Sequence, residues 1–410
     1  MISNDYIFEI PKYVYNTTHI LHPLLELYRL KLIDDLTKKI KNQIDIKLGI
    51  PNKATIRKIK QYFSQLLMNI NTQKTFTDSK IIYLDDGLFN LPLDSEVDDF
   101  YRDVNYLIEK EIFKSDEFDI TQSINDILSK IKDFANTINQ TDIIYDFHNN
   151  KYTIKKSVLN QYEFIDIVYL LEDLNVDQEI INKTKTKYTG PDNQYETILL
   201  CCLLRYQSFG SGANQFVVDI TYKKQLRELG FNFECFASAL NHYYDYYCSA
   251  FYDIEQYFGS FGSFMALKII RGCYMANPPY DNNLLIKMYT KVKIALNNTD
   301  TIAFIMSIPK WKDFDLENQI DIEHLYQSRQ IKYEYFMNPI TKTKVLIPPY
   351  ISYLFYNKSF ERKNNMITRL QTTFETFTNY DPDSPTNDKS YPVMNSVEKI
   401  QYVKNYFRLS

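Results

Sequence analysis

Between residues 195 and 309, runs of strand length take turns with segments of helical periodicity, and this alternation restricts the possible folds more than any other feature of the chain. Tyr195 to Gln207 and Ile220 to Leu229 carry the spacing of helices. Phe231 to Ala237 reads as a buried strand ending in small polar residues, and Asn241 to Phe251 as a return to helix. Tyr274-Met275-Ala276 is a short strand and Leu284 to Leu296 a helix; Thr301 to Ile308 is a strong buried strand closed by Pro309. Apolar strands separated by helices need cover on both faces. The spacing therefore predicts an α/β fold with a mostly parallel, doubly wound sheet. Ligands of such sheets sit beyond the carboxyl ends of the strands.

Glycine marks the same region. The chain has 9 Gly in 410 residues, and Gly190, Gly210, Gly212, Gly230, Gly259, Gly262 and Gly272 fall in one stretch. Ala213, Ala237, Ala239, Ala250, Ala266 and Ala276 cluster with them. Small residues serve where backbone passes close to backbone or to a ligand, so the structural centre is expected at residues 190 to 310. Upstream, Leu24 to Ile46, Ala54 to Ile70, Val97 to Phe113 and Ile124 to Ile138 show helical spacing. An all-α, mostly helical domain over residues 1–188 is expected. A polar, basic connection at Lys183 to Lys187 and a turn at Gly190-Pro191 would join it to an α/β domain over 189–370. Residues 371–410, with Asp381-Pro382-Asp383-Ser384-Pro385, read as a polar tail.

Forty-seven Lys and Arg against 51 Asp and Glu leave a net charge of −4, so no global cationic field recruits nucleic acid and any such contact needs a local patch. The 35 Tyr and 27 Phe accompany heavy Ile, Asn and Lys usage, as an AT-rich coding bias produces. The first residues lack the basic and apolar regions of a signal peptide, and no long apolar run occurs, so a soluble, non-secreted protein is expected. Cys201, Cys202, Cys235, Cys248 and Cys273 sit in apolar contexts without CxxC spacing and read as buried free thiols of a reducing compartment. The five His residues are scattered, so no metal site is expected.

Asn277-Pro278-Pro279-Tyr280, between a strand and a helix, is the sharpest local signal. Pro278 forces Asn277 into extended geometry, and the two prolines hold a stiff turn that no sheet ladder consumes. The Asn277 side-chain oxygen and the Pro278 carbonyl then face outward as acceptors for the two N–H bonds of a planar amine, with Tyr280 stacked on the ring that bears it. An exocyclic amine is a poor nucleophile because its lone pair is delocalised. Accepting both hydrogens returns electron density to nitrogen and aims it at an electrophile such as a methyl sulfonium, so the motif predicts methyl transfer without a general base. Adenine in DNA, adenine or guanine in RNA, and glutamine side chains all fit this description. No DxGxG or GxGxxG follows a strand, and Gly210-Ser211-Gly212 precedes one. The better cofactor loop is Ala237-Ser238-Ala239-Leu240-Asn241.

Phe233 to Ser238 with Asn241, then Tyr247 to Phe251, Tyr257 to Ser260 and Ala276 to Tyr280 together resemble the catalytic core of the phosphorylated-CTD-interacting factor family, the cap-specific adenosine N6-methyltransferases. Phe304 to Trp311 and Gln327-Ser328-Arg329 extend the resemblance, which covers about residues 190 to 330. It implies a Rossmann-like methyltransferase domain that uses S-adenosylmethionine to methylate N6 of the first transcribed adenosine, often 2′-O-methylated, of capped mRNA. By this match Asn277, Pro278, Pro279 and Tyr280 hold the adenine. Glu234, Ala237, Ser238, Asn241, Phe258, Gly259, Ser260 and Asn277 border the cofactor. Ala239 stands where the family usually has proline, and Tyr280 replaces the common phenylalanine. No N-terminal WW module is recognisable, so docking to the phosphorylated tail of RNA polymerase II is not expected.

Lys310 and Lys312 flank Trp311 at the carboxyl end of the last strand, where they read as substrate-binding, with the lysines on cap triphosphate. Lys38-Lys39-Lys41, Lys53 with Arg57-Lys58-Lys60, and Lys183-Lys185-Lys187 are basic clusters that could contact phosphates, and the first two read first as solvated faces. Arg205 and Gln215 are assigned equally to the pocket or to a polar place in the core. Tyr243, Tyr244, Tyr246 and Tyr247 read as helix packing. The expected partners are capped RNA and capping or transcription machinery, with no membrane and no metal; location is cytoplasmic or nuclear. The composition suits a large DNA virus, with a cytoplasmic replication site, or a protist. Two rivals remain, an N6-adenine methyltransferase of DNA or internal RNA and a non-catalytic RNA-binding subunit.

Overall fold

A computed structural model of the chain describes residues 6–15, 21–48, 81–84, 119–139, 141–171, 174–208, 218, 220–279, 282–299, 301–309, 325–331, 334–337, 344–347, 350–356 and 368. The expected helices at 54–70 and 97–113, the tail at 371–410 and the glycines at 210 and 212 lie outside these residues, as do Tyr280, Lys310, Trp311 and Lys312.

The N-terminal part opens with strands β1 (Ile7–Glu9) and β2 (Lys12–Tyr15), followed by helix α1 (Pro23–Leu48) and strand β3 (Ile81–Leu84), which pairs in parallel with β2. Helix α2 (Ile120–Ala135) starts where the Asp119 side chain accepts the Gln122 N–H, and it buries Ile120, Ile124, Ile127 and Ile131 along one stripe. Strands β4 (Tyr145–His148) and β5 (Lys151–Ile154) form a hairpin. Its two-residue turn puts Asn149 and Asn150 at φ 51° and 62°, the left-handed values for which asparagine is well suited. Helices α3 (Lys156–Gln161) and α4 (Gln178–Lys187) complete this part.

The all-α expectation for residues 1–188 is therefore corrected, since β1 to β5 all fall there. These strands are short, and a run of three or four residues carries too little alternation to stand out from helical spacing. The connection expected at Lys183 to Lys187 is instead the last turns of α4. Its lysines alternate with threonines and look like a linker, but Ile180, Ile181 and Thr184 share a buried face.

Helix α5 (Tyr195–Ser208) is buried on almost every side, which its run Ile198 to Leu204 demands. It packs against α1, and one apolar core joins α1, α2, the β4–β5 hairpin, α4 and α5. Ala239, Leu240, Phe251, Ile254 and Phe258 belong to that same core, so it spans the boundary expected at residues 188 and 189.

Helix α6 (Ile220–Glu228) leads into β6 (Phe233–Ala237), followed by β7 (Tyr246–Ser249), helix α7 (Tyr252–Glu255) and β8 (Lys268–Ala276). Helix α8 (Asn282–Asn298) crosses to β9 (Ile302–Pro309); β10 (Leu325–Ile331), β11 (Glu334–Met337), β12 (Lys344–Ile347) and β13 (Tyr350–Tyr356) follow. The main sheet has the order β10-β13-β9-β8-β6-β7, with β1 also paired to β8. Neighbours among β9, β8, β6 and β7 run parallel, whereas β1, β13 and β10 join antiparallel. The architecture is mixed α/β. Phe233, Cys235, Tyr274, Phe304 and Met306 form a second core with Leu284, Leu285, Met288 and Val292 of α8.

The helix expected over Asn241 to Phe251 is not there. Residues 238–245 form a tight loop, and β7 follows with Tyr246 exposed and Tyr247, Cys248 and Ser249 buried. Four tyrosines in five positions imitate a packed helical face, but Glu234 draws the Tyr243 and Tyr244 N–H groups out of any helix, at 2.5 and 3.1 Å. All five cysteines are free and buried.

Candidate functional site

Because β9, β8, β6 and β7 are parallel, their carboxyl ends share one edge of the sheet. From β6 the chain moves to β7 on one side and then to β8 on the other. Strand order therefore reverses between β6 and β8, where an α/β sheet opens a crevice. Ser238 follows β6 at this point and Asn277 follows β8.

Asn277 is half-buried, Pro278 buried and Pro279 half-buried. The Asn277 Oδ1 is shielded from solvent and has no hydrogen-bond partner among the described residues. It does not face open water, as an outward-pointing acceptor would. A buried acceptor without a donor costs about 1–3 kcal/mol, and such groups in a native fold call for an explanation.

Across the crevice the loop after β6 is tightly knotted. The Ser238 N–H donates to Asn241 Oδ1 at 2.7 Å, while Ser238 Oγ accepts the Leu240 and Asn241 N–H groups at 3.2 Å each. The carbonyl of Ser238 accepts the His242 N–H and faces His242 Nδ1 at 3.0 Å, which makes Nδ1 the protonated ring nitrogen. His242 lies flat on Tyr247, with ring centroids 4.2 Å apart. Burial, reinforced by Lys183 and Lys187, pushes its pKa down to about 3, so the ring is neutral at ordinary pH. Lys183 Nζ donates to the His242 carbonyl at 2.7 Å and Lys187 Nζ to that of Asp245. These two lysines fasten the loop.

Other residues assigned to the cofactor are spread over this edge in distinct roles. Ala237 is half-buried at the end of β6, opposite Ser249 in β7. Phe258 is fully buried in the core, and its carbonyl accepts the Tyr247 hydroxyl at 2.9 Å. Gly259 ends a short helical turn at φ 86°, and Ser260 Oγ lies 2.6 Å from Ser249 Oγ. Glu234 is committed internally: Oε2 accepts Lys223 Nζ at 2.7 Å and Oε1 holds the Tyr243 and Tyr244 amides. Its acceptors set the return path from β6 to β7.

Sequence reasoning passed over Glu255, the most connected group near the site. It is fully buried on α7; Oε1 accepts the Ala239 N–H at 2.7 Å, and Oε2 accepts the Tyr206 hydroxyl at 3.0 Å and the Phe251 N–H at 3.2 Å. Burial pushes its pKa up to about 7, against the opposing hydrogen bonds from Ala239, Ser249, Tyr206 and Phe251. Two positions earlier, Asp253 joins a buried cluster. Arg205 donates to both Glu26 oxygens at 2.8 and 2.7 Å and to both Asp253 oxygens at 3.3 and 2.9 Å, and Arg29 adds a 2.7 Å bond to Glu26. Arg205 thus takes the core-polar place of its two expected ones. A Glu or Asp in a four-residue helix shows nothing of this in sequence. Among the described residues no group of three His, Cys, Asp or Glu could hold a metal, and no helix is long and apolar enough to cross a membrane.

Comparison with known proteins places this edge in a wider group. Residues 178–341 match the family model described as "Phosphorylated CTD interacting factor 1 WW domain". The mouse and human proteins named "mRNA (2'-O-methyladenosine-N(6)-)-methyltransferase" are each 34% identical over 133 residues, which is 30% of this chain and 19% of the relative. The alignment thus spans about a fifth of those proteins. The resemblance carried by residues 233–280 therefore stands as homology to the phosphorylated-CTD-interacting factor family over the matched segment, residues 178–341.

Proposed function

We propose that the chain is an S-adenosylmethionine-dependent methyltransferase acting on N6 of the cap-adjacent adenosine, including 2′-O-methyladenosine, of capped mRNA. The observation that carries this reading is the buried Asn277 Oδ1 at the strand-order reversal, which has no hydrogen-bond partner among the described residues. It is supported by homology to relatives whose name states that activity. On this reading β6 to β9 with α6 and α8 form a Rossmann-like core.

The residues present fit the cofactor. The small, half-buried side chain of Ala237 lets a ligand approach the backbone at the end of β6, and the hydrogen bonds of the loop that follows hold its shape before anything binds. When bound, the cofactor supplies an electrophilic methyl group on a sulfonium. The protein's own work is positional. Asn277 Oδ1 accepts one amine N–H, the Pro278 carbonyl accepts the other, and the stiff Pro278-Pro279 turn fixes both. Once methylated, the nitrogen sheds its proton readily, and the neutral, buried His242 is not needed to remove it. Capped RNA and the capping or transcription machinery are the proposed partners. Tyr280 would stack on the adenine, and Lys310, Trp311 and Lys312 would meet the cap side.

The test is transfer of labelled methyl from S-adenosylmethionine to A-start RNA with and without a 7-methylguanosine cap. Label on the capped RNA alone supports the reading. Equal labelling of uncapped RNA or DNA refutes the cap specificity, and no label on any adenine refutes the enzyme.

A further inference from the structure

We propose that Lys183 and Lys187 are positioning residues, whose ammonium groups let helix α4 hold the loop after β6 in the shape that receives the cofactor instead of binding RNA phosphates. This rests on the methyltransferase reading and gives a role at the same site to a basic cluster whose sequence fits phosphate contact equally well.

Three features of the structure carry it. Lys183 Nζ donates to the His242 carbonyl at 2.7 Å and Lys187 Nζ to the Asp245 carbonyl, so two side chains four residues apart on α4 grip the returning half of the loop. The grip on His242 passes to the cofactor candidate Ser238, because the His242 N–H and Nδ1–H both donate to the Ser238 carbonyl. Asp245 is held from its side chain as well, which accepts Arg227 at 2.6 Å and Asn232 Nδ2 at 2.7 Å.

The same helix end also meets the turn that carries the other cofactor candidates. The Thr189 N–H donates to the Tyr257 carbonyl at 2.9 Å, the Tyr188 and Phe258 ring centroids lie 5.8 Å apart, and a Cβ at Gly259 would meet the Lys187 stem at 3.6 Å. The end of α4 thus fixes the loop after β6 relative to the turn before Ser260. Finally, the middle lysine differs from its neighbours. Lys185 is exposed where Lys183 and Lys187 are half-buried, and its ammonium lies 5.3 Å from the centre of the Tyr195 ring. Among the described residues it holds no part of the loop. A phosphate-binding run would present all three head groups to solvent.

An ammonium donating to a carbonyl makes a charge-assisted bond, stronger than a neutral pair. A loop already in its bound shape spares the ligand the cost of ordering it, and when only a fraction of molecules hold that shape the apparent affinity falls by that fraction. Methionine keeps an apolar stem in place of the lysine stem and removes only the donor. Lys183→Met and Lys187→Met therefore release the loop while leaving the packing on α4 in place.

Three measurements on the full chain test the proposal. Calorimetric titration with S-adenosylhomocysteine should show roughly tenfold weaker binding for Lys183→Met and for Lys187→Met. Lys185→Met, which removes the same charge from the same helix, should stay within about twofold of the native protein. Hydrogen exchange of the unliganded protein should show the His242 amide losing protection in Lys183→Met and not in Lys185→Met. Binding of a short capped RNA to the cofactor-free protein should keep its affinity and salt slope in all three variants. Native affinity for the probe in both Lys183→Met and Lys187→Met overturns the positioning role and leaves the methyltransferase reading standing. Equal loss in all three variants, or RNA affinity that falls with each lysine and with a shallower salt slope, overturns it in favour of phosphate contact. Failure of the native protein to bind the probe, with the His242 exchange as expected, refutes the cofactor reading while the hold of α4 on the loop survives.

Discussion

Replacing Arg205 with methionine gives a severe and specific destabilisation. Two carboxylates, Glu26 and Asp253, and two guanidinium groups, Arg29 and Arg205, are packed together with exposures of 0%, 1%, 1% and 0% respectively. Although burial alone lowers the Arg205 pKa, Asp253 and Glu26 together hold it well above the ordinary value, so the charge is firmly present. The two acids and two bases balance. Arg205→Met removes four charge-assisted hydrogen bonds and leaves one net negative charge enclosed, a change that costs about 3–5 kcal/mol when a buried pair is broken from one side. Urea denaturation followed by tryptophan-independent far-ultraviolet dichroism measures it as a fall in midpoint at constant slope. Adding Asp253→Asn keeps the shape and restores charge balance, so the double variant should recover about 1–2 kcal/mol. A single variant within about 1 kcal/mol of the native protein, or a double variant less stable than the single, would refute the charge-balance argument.

Three further outcomes follow from the same geometry. Asn277→Ala should lower turnover by about a hundredfold or more, roughly 3 kcal/mol, while the melting temperature holds or rises because a buried orphan acceptor is removed; retained turnover in single-turnover assays would count against the acceptor role. Glu255, pushed up to about 7 from an ordinary 4.5, contributes its full stability below about pH 4.5 and loses it as pH rises through 7, a difference of about 3 kcal/mol. Denaturation midpoints of Glu255→Gln should therefore vary less with pH over that window than those of the native protein. Gly259→Ala should destabilise by about 1–2 kcal/mol, because φ 86° suits glycine and not alanine, although among the described residues an added Cβ would find only Lys187, at ordinary contact distance.

The parts of this fold that were legible in the sequence are those whose burial is written in long apolar runs. Ile302 to Ser307 is buried at every position, and α5 is nearly so, which leaves no doubt about either element. The strand before Asn277 was placed correctly but read too short: β8 begins at Lys268, and its first half alternates exposed, buried and intermediate residues as it pairs with β1. That pairing is fixed by Tyr6, whose hydroxyl donates to the Gly230 or Cys273 carbonyl and accepts the Asn232 N–H. Contacts across more than 200 residues leave no local trace. The same reason hid the site's supports. Asn277 announced itself through its prolines, whereas Glu255 and Arg205 act through partners that only the fold brings near.

The most direct test of the central claim, that Asn277 presents an acceptor to an adenine amine, is mass spectrometry of nucleosides released from cap-A RNA after incubation with the protein and S-adenosylmethionine. The account predicts N6-methylated adenosine, or its 2′-O-methylated form, from the native protein and almost none from Asn277→Ala. Methylation at any other atom, or the same N6 yield from both proteins, would contradict it.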